Sequence, residues 1–139
     1  MNKKLILNDP TLLITKAFVN GKWINAYSGE TLTVNNPANN KLITKVAKCG
    51  DKETKQAIQS AKIAQQLWLM VTPYDRSKLI RGWYNLIIEN RDDLAQIITA
   101  EQGKPLNESY AEIDYGAKYI EWFAAVSYTH LTLPTKRIV

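Results

Sequence analysis

Five acids, Glu101, Glu108, Glu112, Asp114 and Glu121, crowd the last third of the chain. Paired carboxylates are common tools of general acid–base chemistry. Here they recur at helical spacing, which is the pattern of a charged, solvated helix face. The lone cysteine, Cys49, is the other candidate nucleophile, and the only histidine available to activate it is His130. Cys49 reads better as a small, half-buried residue at a strand end. A single cysteine forms no internal disulfide, in accord with a reducing compartment. Tyr110, Tyr115, Tyr119, Trp122 and Phe123 cluster at helical spacing, as residues of a core or a subunit contact do. There is no GxGxxG, P-loop, metal-ligand spacing or Ser/His/Asp set. By its own residues the chain carries no catalytic constellation.

The elements that hold these residues fall into two blocks. Phe18-Val19-Asn20-Gly21-Lys22-Trp23-Ile24 sets Asn-Gly between apolar stretches, the signature of a type I′ hairpin. Ser28-Gly29-Glu30 reads as a further turn, Thr31–Val34 as a strand, Asn36-Pro37-Ala38-Asn39 as a turn and Leu42–Val46 as a strand. Together they predict a small β-meander. Past Gly50 the period becomes helical. Asp51 is placed to cap a helix to about Trp68, with Thr54, Ala57, Ile58, Ala61, Ala64 and Trp68 on one face. Thr72, Pro73 and Asp75 make a stronger start, with a capping box for a helix burying Leu79, Ile80, Trp83, Leu86 and Ile87. Asn90 and Asp93 open a third helix that ends at Gly103 with Pro105 beyond. A fourth runs from about Leu106 to near Ala124 with Ile113, Ala117, Ile120 and Ala124 as its core stripe.

The 139 residues are 45% hydrophobic and 22% charged, as in an ordinary globular domain or a piece of one. The apolar run after Lys3-Lys4 stops at Asn8-Asp9-Pro10, too short for a secretory signal or a membrane helix, so a cytoplasmic location without a membrane is expected. The net charge of +5 comes from lysines interspersed with acids, which favours a solvated surface over a nucleic-acid partner. Val126–Val139 breaks the preceding pattern and is expected to be non-native: back-translated, Val126 through Thr135 fits one frame of a transposon-end sequencing adaptor. Setting aside its two cations, Lys136 and Arg137, lowers the formal charge from +5 to +3, and the authentic segment, residues 1–125, then holds no histidine.

The order FVNGKW, NPANNKLITKV, a capped helix reaching LW, RSKLIRGWYNLI, IITAEQGKPLNES and YIEWFAA resembles the N-terminal region of aldehyde dehydrogenases. EQGKPL followed by an acidic helix ending in YIEWFA is most similar to bacterial succinate-semialdehyde dehydrogenases. The resemblance implies an α/β fold, of which this chain is an N-terminal part from the cofactor and oligomerisation region, with the cofactor domain incomplete. It implies NAD- or NADP-dependent oxidation of a small aldehyde, succinate semialdehyde to succinate, by a homo-oligomer. The family's nucleophilic cysteine, water-activating glutamate, oxyanion asparagine and cofactor loop fall beyond this chain, and Cys49 does not align with the nucleophile. No catalytic or cofactor-binding residue is therefore carried over. The helix holding Glu112, Tyr115, Gly116 and Tyr119 corresponds to one that borders the substrate tunnel. A self-standing helical interaction module with no enzymatic activity is the competing reading.

Overall fold

The computed structural model describes residues 5–129. β1 (Ala17–Val19) and β2 (Lys22–Ile24) pair antiparallel with Phe18 opposite Trp23. Asn20 and Gly21, at φ 50° and 74°, supply the two left-handed positions of the Asn-Gly turn. β3 (Thr31–Asn35) and β4 (Leu42–Ala47) form a second antiparallel pair with an irregularity between Val34 and Asn35. The expected meander is thus two separate two-stranded sheets. Ser28-Gly29 turns the chain out of the first sheet instead of folding β3 onto β2. The second hairpin is tied to the segment before β1 through the end of β4, where the Ala47 N–H donates to the Thr15 carbonyl at 2.8 Å; the Lys48 N–H, donating to the Glu30 carbonyl at 3.0 Å, extends the β3–β4 ladder.

Four helices follow: α1 (Asp51–Met70), α2 (Pro73–Glu89), α3 (Arg91–Gln102) and α4 (Leu106–Thr129). Asp51 is not the cap of α1. Gly50 occupies that position, and the Glu53 carboxylate accepts its N–H at 2.9 Å. Thr72 caps α2 as expected, its hydroxyl accepting the Asp75 N–H. The Asp75 carboxylate then accepts the Thr72 hydroxyl at 2.6 Å rather than completing the box on the backbone. α3 ends on Gly103 at φ 72°. A Cβ there would lie 2.8 Å from Pro37 Cγ, so glycine serves both the left-handed cap and the close approach of the β3–β4 turn.

α4 packs chiefly on α2 and then on α3, while α1 meets the rest mainly at β1. The core is small and alanine-rich: Ala95, Ala117 and Ala124 are fully buried between the helices, and Val19 and Ala26 are buried at the first hairpin. The stripe expected on α4 faces inward, with Ile113 and Ile120 half-buried beside the two alanines. The stripe expected on α2 divides. Ile80 and Ile87 turn toward the bundle, but Leu79, Trp83 and Leu86 are each more than half exposed. On α1, Ile58 and Trp68 of the expected face are also exposed, along with Leu67 and Met70. α2 carries two apolar faces, and only that of Ile80 and Ile87 turns toward the other described helices.

α4 runs on to Thr129, past the expected stop near Ala124, because no glycine or proline interrupts Ala125 to Thr129. The rest of the Val126–Val139 tail, His130 included, lies outside the described residues. The open helix faces leave large apolar side chains of α1 and α2 exposed among the described residues.

Candidate functional face on the fourth helix

α4 is a two-sided element. Its inner side is held by Ala117 and Ala124, by the Ser77 hydroxyl donating to the Ala124 carbonyl at 2.7 Å, and by Thr99 and Ser109, whose hydroxyls meet at 2.8 Å. Two ion pairs fix its rotation. Arg91 of α3 grips Asp114 with two bonds, at 2.5 and 2.6 Å, and its guanidinium lies 4.3 Å from the Tyr110 ring centre. Arg81 of α2 reaches Glu121 at 2.8 Å. The Arg91 hydrogen bonds hold the Asp114 carboxyl below its ordinary pKa, and the same contact raises that of Arg91. Burial, with a hydrogen bond to Asp92, pushes the Tyr110 phenol up.

With that side buried, helical periodicity turns the stripe of Glu112, Tyr115, Gly116 and Tyr119 outward. The structure brings these four together on one open face. Tyr115 and Tyr119 are 63% and 51% exposed, their rings lie 5.0 Å apart edge to face, and their hydroxyls share a hydrogen bond of 2.7 Å. That bond raises the Tyr119 pKa above its ordinary value. Gly116 has open space where a Cβ would stand, leaving a gap between the phenols and Glu112. Glu112 is paired with Lys104 at 2.5 Å. Trp122 and Phe123, stacked edge to face at 5.0 Å, continue the exposed aromatic surface toward the end of the helix. Of the aromatic cluster, Tyr110 is half-buried under Arg91, while Tyr115, Tyr119, Trp122 and Phe123 are exposed among the described residues.

The five acids resolve as a helix surface. Glu112, Asp114 and Glu121 are in ion pairs, and among the described residues no group of three His, Cys, Asp or Glu side chains is placed to hold a metal ion. Cys49 is half-buried between β4 and α1, as its sequence position suggested. A dinucleotide needs free backbone N–H groups at a glycine turn between strand and helix. The β4–α1 junction at Gly50 is that kind of turn, but the Glu53 carboxylate already accepts the Gly50 N–H there. That junction therefore offers no free Gly50 N–H to a phosphate.

Sequence reasoning missed two anchoring carboxylates. Glu53, buried, also accepts the Tyr27 N–H at 2.5 Å, joining the first hairpin to α1. The backbone donors at Tyr27 and Gly50 hold its pKa below the ordinary 4.5. Asp93 accepts the N–H groups of Asn8 and Asp9 at 2.9 and 2.8 Å, fastening the N-terminal segment to α3. Spacing from Asn90 marked Asp93 as a helix-start residue, but nothing local signalled its distant partners.

The model of the aldehyde dehydrogenase family matches residues 23–136. The chain belongs to the aldehyde dehydrogenase family. It is 46% identical over 118 residues to succinate-semialdehyde dehydrogenase (NADP(+)) of Escherichia coli (strain K12), covering 85% of this chain and 24% of that protein. It is 47% identical over 118 residues to glutarate-semialdehyde dehydrogenase of Pseudomonas putida, covering 85% and 25%. Among solved structures, succinate-semialdehyde dehydrogenase from Burkholderia pseudomallei superposes with a TM-score of 0.84 at 44% identity, over 86% of this chain and 25% of that one. The chain spans about a quarter of the length of these relatives. Among the described residues no helix is long and apolar enough to cross a membrane.

Proposed function

We propose that this chain is the N-terminal part of an NAD(P)-dependent dehydrogenase that oxidises a small aldehyde bearing a carboxylate at its far end, with succinate semialdehyde as the substrate. The single supporting observation is identity of 46–47%, over most of the chain, to two relatives named for the semialdehydes of dicarboxylic acids. In this reading the full-length protein is a cytoplasmic homo-oligomer, and its nucleophile, cofactor loop and NAD or NADP site lie in the other three-quarters. This segment supplies scaffold, and the open stripe of Glu112, Tyr115, Gly116 and Tyr119 borders the aldehyde's path. Residues 126–139 are adaptor-derived, and the native chain continues after residue 125.

Two steps test the reading. Reading the source DNA past codon 125 should give an open frame with the remaining dehydrogenase domains; a stop codon in genomic sequence favours the interaction module instead. The full-length product should then reduce NAD or NADP with succinate semialdehyde, and the 139-residue chain should not. A higher kcat/KM for glutarate semialdehyde moves the substrate one methylene longer and leaves the class intact. Turnover by the short chain that survives Cys49→Ala rejects the scaffold role.

A further inference from the structure

The Lys104–Glu112 pair differs from the other ion pairs of α4. Arg81–Glu121 and Arg91–Asp114 each bind α4 to a neighbouring helix, whereas Glu112 sits on the open stripe with Tyr115 and Tyr119. Its partner comes from the α3–α4 turn, where left-handed Gly103 and Pro105 flank Lys104. The lysine side chain is the more sheltered of the two, 26% exposed against 47% for Glu112. A pair this open adds little to folding stability. What it changes is the field along the stripe: alone, Glu112 places a full negative charge beside the two phenols, and paired it is a neutral dipole. Glu108, one turn earlier, lies in the first turn of α4, where the positive end of the helix dipole offsets its charge.

Resting on the reading that this stripe borders the aldehyde's path, we propose that Lys104 is a specificity-determining residue: it neutralises Glu112 so that the stripe admits an aldehyde carrying an anionic carboxylate at its far end. Lys104 acts through Glu112 and is a positioning residue. Once the rest of the protein encloses the stripe, the local dielectric falls, and an uncompensated Glu112 repels an incoming carboxylate. An uncharged aldehyde meets no such barrier.

The test is steady-state kinetics of the full-length enzyme with succinate semialdehyde and with butanal, an uncharged aldehyde of the same length. Lys104→Met should raise KM for the semialdehyde roughly tenfold, with kcat and the KM for butanal kept. Lys104→Arg should behave as wild type, and adding Glu112→Gln to Lys104→Met should return the semialdehyde KM toward wild type. A KM that rises equally for both aldehydes, or that Glu112→Gln does not rescue, overturns the proposal. Should Lys104→Met fail to fold, Glu112→Gln alone decides: it should lower the semialdehyde KM by freeing the lysine's charge, and a rise overturns the idea. A wild-type enzyme with no preference for the semialdehyde over butanal rejects the functional reading itself, before any variant is compared.

Discussion

Glu53 shows how one side chain can hold two elements. Its carboxylate takes backbone donors from Tyr27 and Gly50, capping α1 and docking the first hairpin in one contact. Those donors favour the ionised form, so its pKa in the folded chain lies below 4.5. The stabilisation is therefore complete above the unfolded value and is lost as pH falls through the depressed folded value. In the full-length protein, hydrogen-exchange protection of the Tyr27 amide should be intact at neutral pH and collapse on acidification. Glu53→Gln should lower that protection at neutral pH and flatten its acid dependence; an unchanged profile rejects the role. Gly103 is the second residue on which the fold turns. Gly103→Ala should cost about 1–2 kcal/mol for the left-handed backbone alone, and more as Pro37 is displaced, read as a lower unfolding temperature. The Gly103 cap was legible because glycine before Lys-Pro has a local meaning. The partners of Glu53 and Asp93 were not, because contacts between distant backbone N–H groups and a carboxylate leave no trace in spacing.

At the scale of the helix, the contrast between α4 and α2 is instructive. On α4 the expected stripe faces inward, because small and branched residues recur there on one side only. There Ala117→Leu should destabilise by about 1–3 kcal/mol through overpacking, measured by denaturant unfolding of the full-length protein; a neutral result means the helices do not approach as described. On α2 periodicity found Leu79, Ile80, Trp83, Leu86 and Ile87, yet Leu79, Trp83 and Leu86 face outward. A 3.6-residue period marks apolar positions, but which of two apolar faces meets a partner depends on the partner. Leu79→Lys with Leu86→Lys should thus leave the helix content of the isolated chain unchanged and reduce its self-association. In the full-length protein the same pair should cost about 1.5–3 kcal/mol for each side chain. Equal effects in both settings would show that the face is never covered. The two-sheet arrangement was hidden for a related reason: turn residues announce a reversal, not which strand the chain returns to.

The whole molecule is an incomplete body. Its core rests on alanines, and large apolar side chains line the outside of α1, α2 and α4 among the described residues. The family match over residues 23–136, with this chain covering about a quarter of its relatives' length, accounts for what should cover them. In the proposed full-length protein these faces are interior surfaces. Hydrophobic-dye fluorescence, compared per mole between the isolated 139-residue chain and the full-length protein, tests that burial most directly. Strong dye binding by the isolated chain and little by the full-length protein are expected. An isolated monomer that binds no more dye than the full-length protein contradicts it.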